Sequence, residues 1–255
     1  MKLLKFAVIG YICLGLTSCL EITETVEIKE DGSGVFTNTT DMSQMIDMLA
    51  AVGGEEFEKM KEKTVDSTFS MRDRIDSAKN LTAEEKALLA DGKVNFKMDA
   101  KEKIFNIQMQ YPFRNLASLE KLLVAVNKNS AGPSSIMNNV MADDDADKDT
   151  DAEDSGMEEM MKVFEYTITK DKVKRTINKD VLKKLKDDPK NQQLNEAAGM
   201  GIEINYTMVY KFPKPIKKVD NPKATVSDDR KTVKLSANLM DLFDNPERFE
   251  WTIDW

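Results

Sequence analysis

Residues 202–212 read IEINYTMVYKF, and their alternation decides the fold. Ile202, Ile204, Tyr206, Met208, Tyr210 and Phe212 occupy every second position. Side chains of a β-strand point alternately to its two faces, so this period predicts a strand with one buried face. Pro213 and Pro215 have no N–H to give a ladder and end the run.

The same period recurs on both sides of that strand. Val26 and Ile28 lead into Asp31-Gly32-Ser33-Gly34 and then Val35–Thr40, a β-hairpin whose glycines are expected to supply positive φ at the turn. A phosphate loop would need a strand, a glycine loop with lysine, and a helix; here a second β-rich run follows, so the turn reading stands. Val94, Phe96 and Met98 pair with Phe105, Ile107, Met109 and Tyr111 across an Ala100–Lys103 turn. Phe164, Tyr166 and Ile168 pair with Val173–Ile177 across Lys170-Asp171-Lys172. Val226 turns at Asp228-Asp229 into Val233–Leu235, and Phe249, Trp251, Ile253 and Trp255 close the chain at period two. An aromatic C-terminus also ends outer-membrane barrels, but the interior lacks their succession of lipid-facing strands.

Helical periods lie between the hairpins. Met42, Met45, Ile46, Leu49 and Val52 form one stripe that stops at Gly53-Gly54, with more helix expected over 55–63. Methionines interleaved with Ile and Leu fill core gaps in preference to binding copper. Thr82 and Glu85 make a capping box for a helix through Ala90. Leu116, Leu119, Leu122, Leu123 and Val126 make another stripe, Val181, Leu182 and Leu185 a short one, and 190–198 is expected to be helical too. Strand pairs with helices gathered on one face define an α+β fold built on antiparallel hairpins. Residues 129–157, rich in turn formers and aspartate, read as an acidic linker or disordered loop. It divides a first α+β lobe (19–128) from a second (158–255), two lobes that could equally be one continuous domain.

Composition narrows the chemistry. The 255 residues are 41% hydrophobic and 32% charged, as in soluble globular proteins. The formal charge is −8, and residues 1–18 hold Lys2 and Lys5 but no acid, so the chain from Cys19 is more negative still. Phosphate backbones repel such a chain, and no nucleic-acid partner is expected. The absence of histidine excludes Ser-His-Asp and Cys-His catalysis and His-ligated zinc.

The N-terminus gives the address. A basic Met1–Lys5 precedes an apolar Phe6–Leu16, long enough for a secretory signal and too short to span a bilayer. It ends Leu16-Thr17-Ser18-Cys19, an aliphatic residue and two small ones before a cysteine, which matches the bacterial lipobox. Residues 1–18 are therefore expected to be a lipoprotein signal peptide and Cys19 the site of covalent diacylglycerol and acyl (palmitate) attachment. Cys13 leaves with the leader, so no disulfide is expected. Leu20 in place of aspartate after the cysteine points to the outer membrane, with the periplasmic or surface face open. No second apolar segment follows, which leaves the lipid as the expected anchor.

Three decoys need weighing. Asp147, Asp149, Asp151, Ser155 and Glu158 fit positions of a calcium-binding loop, but Ala152 stands where that loop needs glycine and Asp154 where it needs an apolar residue. Ser118-Leu-Glu-Lys121 has the S-x-x-K spacing of penicillin-interacting enzymes, with Ser236-Ala-Asn238 as an echo, yet the K-T-G strand is missing. Paired carboxylates for a hydrolase are spatial, and 45 acidic residues give no pair by sequence. Catalytic residues and cofactors are accordingly expected to be none, apart from the lipid on Cys19.

Asp31-Gly32-Ser33-Gly34, Asp41-Met42-Ser43, Tyr210-Lys-Phe-Pro213, Val226-Ser-Asp-Asp229 and Lys231-Thr-Val-Lys-Leu235 together resemble the uncharacterised bacterial envelope lipoproteins with an LppM-like domain, of the kind found in Bacteroidota. The resemblance implies an envelope protein without a catalytic motif. The expected function is a lipid-anchored, non-catalytic binding or structural module with an envelope protein or lipid as partner. Alternatives are a carrier of lipid or another apolar ligand, and third a carboxylate-based hydrolase.

Overall fold

A computed structural model describes residues 20–44, 46, 64–77, 81–128, 156–188 and 203–255. The fold is α+β. Strands β1 (Leu20–Ile28), β2 (Gly34–Asp41), β3 (Thr64–Ser70), β4 (Lys93–Asp99), β5 (Ile104–Phe113), β8 (Ile204–Lys211), β10 (Thr225–Val226) and β11 (Thr232–Asn238) form one eight-stranded sheet in the order β10-β11-β8-β1-β2-β5-β4-β3. A four-stranded sheet, β6-β7-β12-β9, is made by β6 (Phe164–Thr169), β7 (Lys172–Ile177), β12 (Trp251–Asp254) and β9 (Lys218–Val219).

The expected hairpins are present: β1 with β2, β4 with β5, β6 with β7, and β10 with β11. One pairing is not a hairpin. β8 lies parallel to β1, with Leu20 beside Ile204 and Val26 beside Tyr210. The strand that opened the sequence reading therefore carries the large sheet across from β1 and β2 to β11. Parallel neighbours need a long crossover, so local sequence could not announce this pair.

β3 is a second surprise, because nothing in TVDSTFS alternates clearly. Only Val65 and Phe69 are apolar there, and the strand lies at the sheet edge, where one side has no neighbour to bury against. The helix expected over 55–63 and that over 190–198 fall outside the described residues, as do Met45, Leu49 and Val52 of the methionine stripe. Met42 and Ile46 of that stripe are buried in the core.

One face of the large sheet is buried by two kinds of cover. Over β4 and β5 lie the helices α1 (Arg72–Ser77), α2 (Ala83–Leu89) and α3 (Leu116–Lys128). The small sheet covers the β8 side, with α4 (Gly156–Met161) and α5 (Lys179–Asp187) beside it. Phe164 stacks on Tyr206 at 6.2 Å, Trp251 meets Tyr210 edge-on at 5.1 Å, and Trp255 lies 4.6 Å from Phe212. Aromatic pairs at these separations add about 0.5–1.5 kcal/mol each beyond their area. The small sheet's edge is also guarded: Glu120 of α3 accepts from Ile168 N of β6 at 2.7 Å.

The β1–β2 turn corrects one expectation. Gly32 takes φ +80°, but among the described glycines it alone has positive φ. Gly34 is needed for close approach: a Cβ there would lie 1.9 Å from Glu27 O and 2.4 Å from the Phe113 ring. Asp31 holds the turn by accepting from Ser33 N and Oγ, which keeps its carboxyl below the usual range.

Candidate functional site

The most unusual chemistry in the described core sits between the two sheets. β1 alternates Ile22, Glu24, Val26 and Ile28 inward, so its period places one carboxylate among apolar neighbours. β7 does the same with Val173, Arg175 and Ile177. Glu24 and Arg175 are only 3% and 1% exposed. Tyr206 of β8 joins them: its hydroxyl donates to Glu24 Oε2 at 2.5 Å and accepts from Arg175 Nη2 at 3.0 Å.

The guanidinium is enclosed by π-systems. Its carbon lies 3.5 Å from the Phe164 ring centroid and 5.1 Å from that of Tyr206, while Nη1 meets the Met208 sulfur. A desolvated cation over aromatic faces gains about 2 kcal/mol or more. Arg175 Nε and Trp251 Nε1 have no hydrogen-bond partner among the described residues. Burial pushes the Glu24 carboxyl above its ordinary range, against the opposing Arg175 charge and the Tyr206 bond. It also pushes the Tyr166 hydroxyl up, to about 12. The cluster is closed to solvent, so its chemistry is internal: it fixes how β1, β8 and β7 meet.

Open clefts lie at the surface. One, of about 650 Å³, is bordered by Ile28 and Asp31 of the first hairpin, Leu116 at the start of α3, Ile168, Pro213 and Trp255. A second of about 600 Å³ is bordered by Arg175 and Trp251 and includes Asp220 and Glu250. Those carboxylates are already used: Asp220 accepts from Thr252 N at 2.6 Å and Glu250 from Ile177 N at 3.1 Å.

The penicillin-type spacing is dispersed. Ser118 Oγ accepts from Arg114 N and Asn115 N and donates to Asn115 O, while its own N–H donates to Asn115 Oδ1, a reciprocal cap for α3. Lys121 pairs with Glu84 at 2.5 Å, and Ser236 meets Thr207 on the opposite, exposed face. Of the calcium candidates, Asp147, Asp149 and Asp151 lie outside the described residues and Glu158 stands in α4. Among the described residues no three His, Cys, Asp or Glu side chains cluster as metal ligands. Cys19 also lies outside them, but Leu20, the next residue, is already the first of β1.

No helix among the described residues is long and apolar enough to cross a membrane. No family model matches the sequence, and no curated protein does. The folded domain of the lipoprotein LppM from Mycobacterium tuberculosis, solved by NMR, is similar over 87% of this chain and 84% of that one, at 9% identity and a TM-score of 0.33. The likeness is distant and transfers no residue.

Proposed function

We propose that the protein is a lipid-anchored cell-envelope lipoprotein, held at the outer membrane through diacylglycerol and acyl chains on Cys19. Its domain is a non-catalytic binding or structural module. One observation carries the reading: the lipobox Leu16-Thr17-Ser18-Cys19 stops one residue before β1 begins at Leu20. Removal of residues 1–18 would trim the chain to the edge of the sheet without cutting into it. Each buried methylene of the acyl chains contributes about 0.8 kcal/mol, and several chains on one residue make a lasting anchor.

The module reading is supported by what the polar side chains do. The buried Glu24 and Arg175 are both bonded to the Tyr206 hydroxyl, and Asp220 and Glu250 of the second cleft hold main-chain N–H groups. Metabolic labelling with a palmitate analogue tests the anchor. The native chain should take the label into the membrane fraction and Cys19→Ser should take none. A native chain without label would overturn the proposal.

A further inference from the structure

The strand register fixes what surrounds Leu20, the residue that follows Cys19. Glu21 lies beside Asp41, Asp41 beside Asn106, and Asn106 beside Lys97. One residue further along this direction is Leu20, the first of β1, and just beyond that level the neighbouring strands reach the Asp99–Ile104 pair. The Ala100–Lys103 turn therefore reaches past the level of Leu20, where the chain comes from Cys19. On the other side Glu21 lies beside Asn205 and Asn205 beside Asn238, after which the 3-10 turn Leu239–Leu242 folds back with Leu239 and Leu242 buried in the core. Consecutive Cα atoms are about 3.8 Å apart, so the anchored residue cannot move away from this end.

We infer that the end of the large sheet bearing Leu20 and the Ala100–Lys103 turn is a bilayer-apposed surface. The domain stands on the membrane with β1 rising away from it. This rests on Cys19 acylation as proposed above. A lipoprotein domain on a long tether would tumble; here the tether is missing, because the first residue after Cys19 is in a central strand. β1 climbs about 3.3 Å per residue, so the Glu30–Ser33 turn stands roughly 26 Å or more above the anchor. The 650 Å³ cleft, which this turn borders, opens at that outer end. The surface does not attract lipid by charge: Glu21, Asp41, Asp99, Glu102 and Glu203 share this end with Lys101 and Lys103. The short covalent link alone sets the orientation.

The test uses the full chain, processed in cells and reconstituted in phosphatidylethanolamine–phosphatidylglycerol vesicles. Acylated Cys19 carries no free thiol and Cys13 has gone with the leader, so one introduced cysteine takes a bimane label alone. Glu102→Cys and Glu30→Cys report the two ends, both exposed. A spin-labelled lipid head group should quench bimane at Glu102→Cys several-fold more strongly than at Glu30→Cys. Equal quenching, or stronger quenching at Glu30→Cys, overturns the inference. A flexible Gly-Ser spacer of about ten residues between Cys19 and Leu20 should abolish the difference, and a difference that survives it contradicts the role of the short link. Intact mass on the same sample separates the two claims: a chain without acyl groups refutes the anchor, whereas an acylated chain with equal quenching refutes only the orientation.

Discussion

The Tyr206 hydroxyl lies 2.5 Å from Glu24 Oε2 and 3.0 Å from Arg175 Nη2, and so links a buried carboxylate to a buried cation across two sheets. Breaking a buried pair from one side leaves an uncompensated charge, which costs about 3–5 kcal/mol. Arg175→Met should therefore lower urea stability by that order, and Glu24→Gln added to it should recover much of the loss. A double variant as unstable as the sum of the two single variants would deny the coupling.

Glu24 also predicts a pH dependence. Burial holds its carboxyl above the ordinary value of 4.5, so between that value and its folded one the folded state keeps a proton that the unfolded chain releases. Stability from this group is full below the ordinary value and is lost as pH rises through the higher folded one. The native chain should gain stability on acidification toward the ordinary carboxylate range relative to Glu24→Gln. Parallel stability curves for the two would show that Glu24 does not titrate in this way.

The two glycines of the first turn should respond differently. Gly34→Ala puts a methyl group 1.9 Å from Glu27 O, and the surrounding backbone cannot yield cheaply, so a loss of about 3 kcal/mol or more is expected. Gly32→Ala meets only ordinary contact, Leu116 Cγ at 3.7 Å, with the positive φ alone to oppose it, and should cost about 1–2 kcal/mol. Equal thermal unfolding shifts would mean that conformation and not contact governs both.

Glu120 covers an exposed strand edge. Glu120→Ala should speed hydrogen exchange at the Ile168 amide while leaving β7 amides slow. Stability should fall by about 1–3 kcal/mol, the usual range for a hydrogen bond to a charged group. Unchanged exchange at Ile168 would show that the edge is closed by other means.

Much of this fold was legible because alternation is a local signal. The Ile204–Lys211 strand, the Val94–Tyr111 hairpin and the Thr82–Glu85 cap all stand where their periods and caps put them. β3 was not legible, since an exposed edge strand needs no apolar face. The parallel placing of β8 on β1 depends on residues some 180 positions apart and leaves no mark in either strand. The buried cluster did leave one. Glu24 and Arg175 each stand in the apolar phase of a strand, at the positions where a hydrophobic residue belongs. What no single strand could reveal is that the two exceptions meet at Tyr206.

The proposed anchor rests on four residues, Leu16 to Cys19, and Leu20, the next residue, is the first of β1. The most direct measurement is the intact mass and N-terminus of the protein extracted from membranes. The account predicts a chain that begins at Cys19, lacks residues 1–18 and carries diacylglycerol and acyl mass on that residue. A chain that retains residues 1–18, or begins near Cys19 with no added lipid, would contradict it.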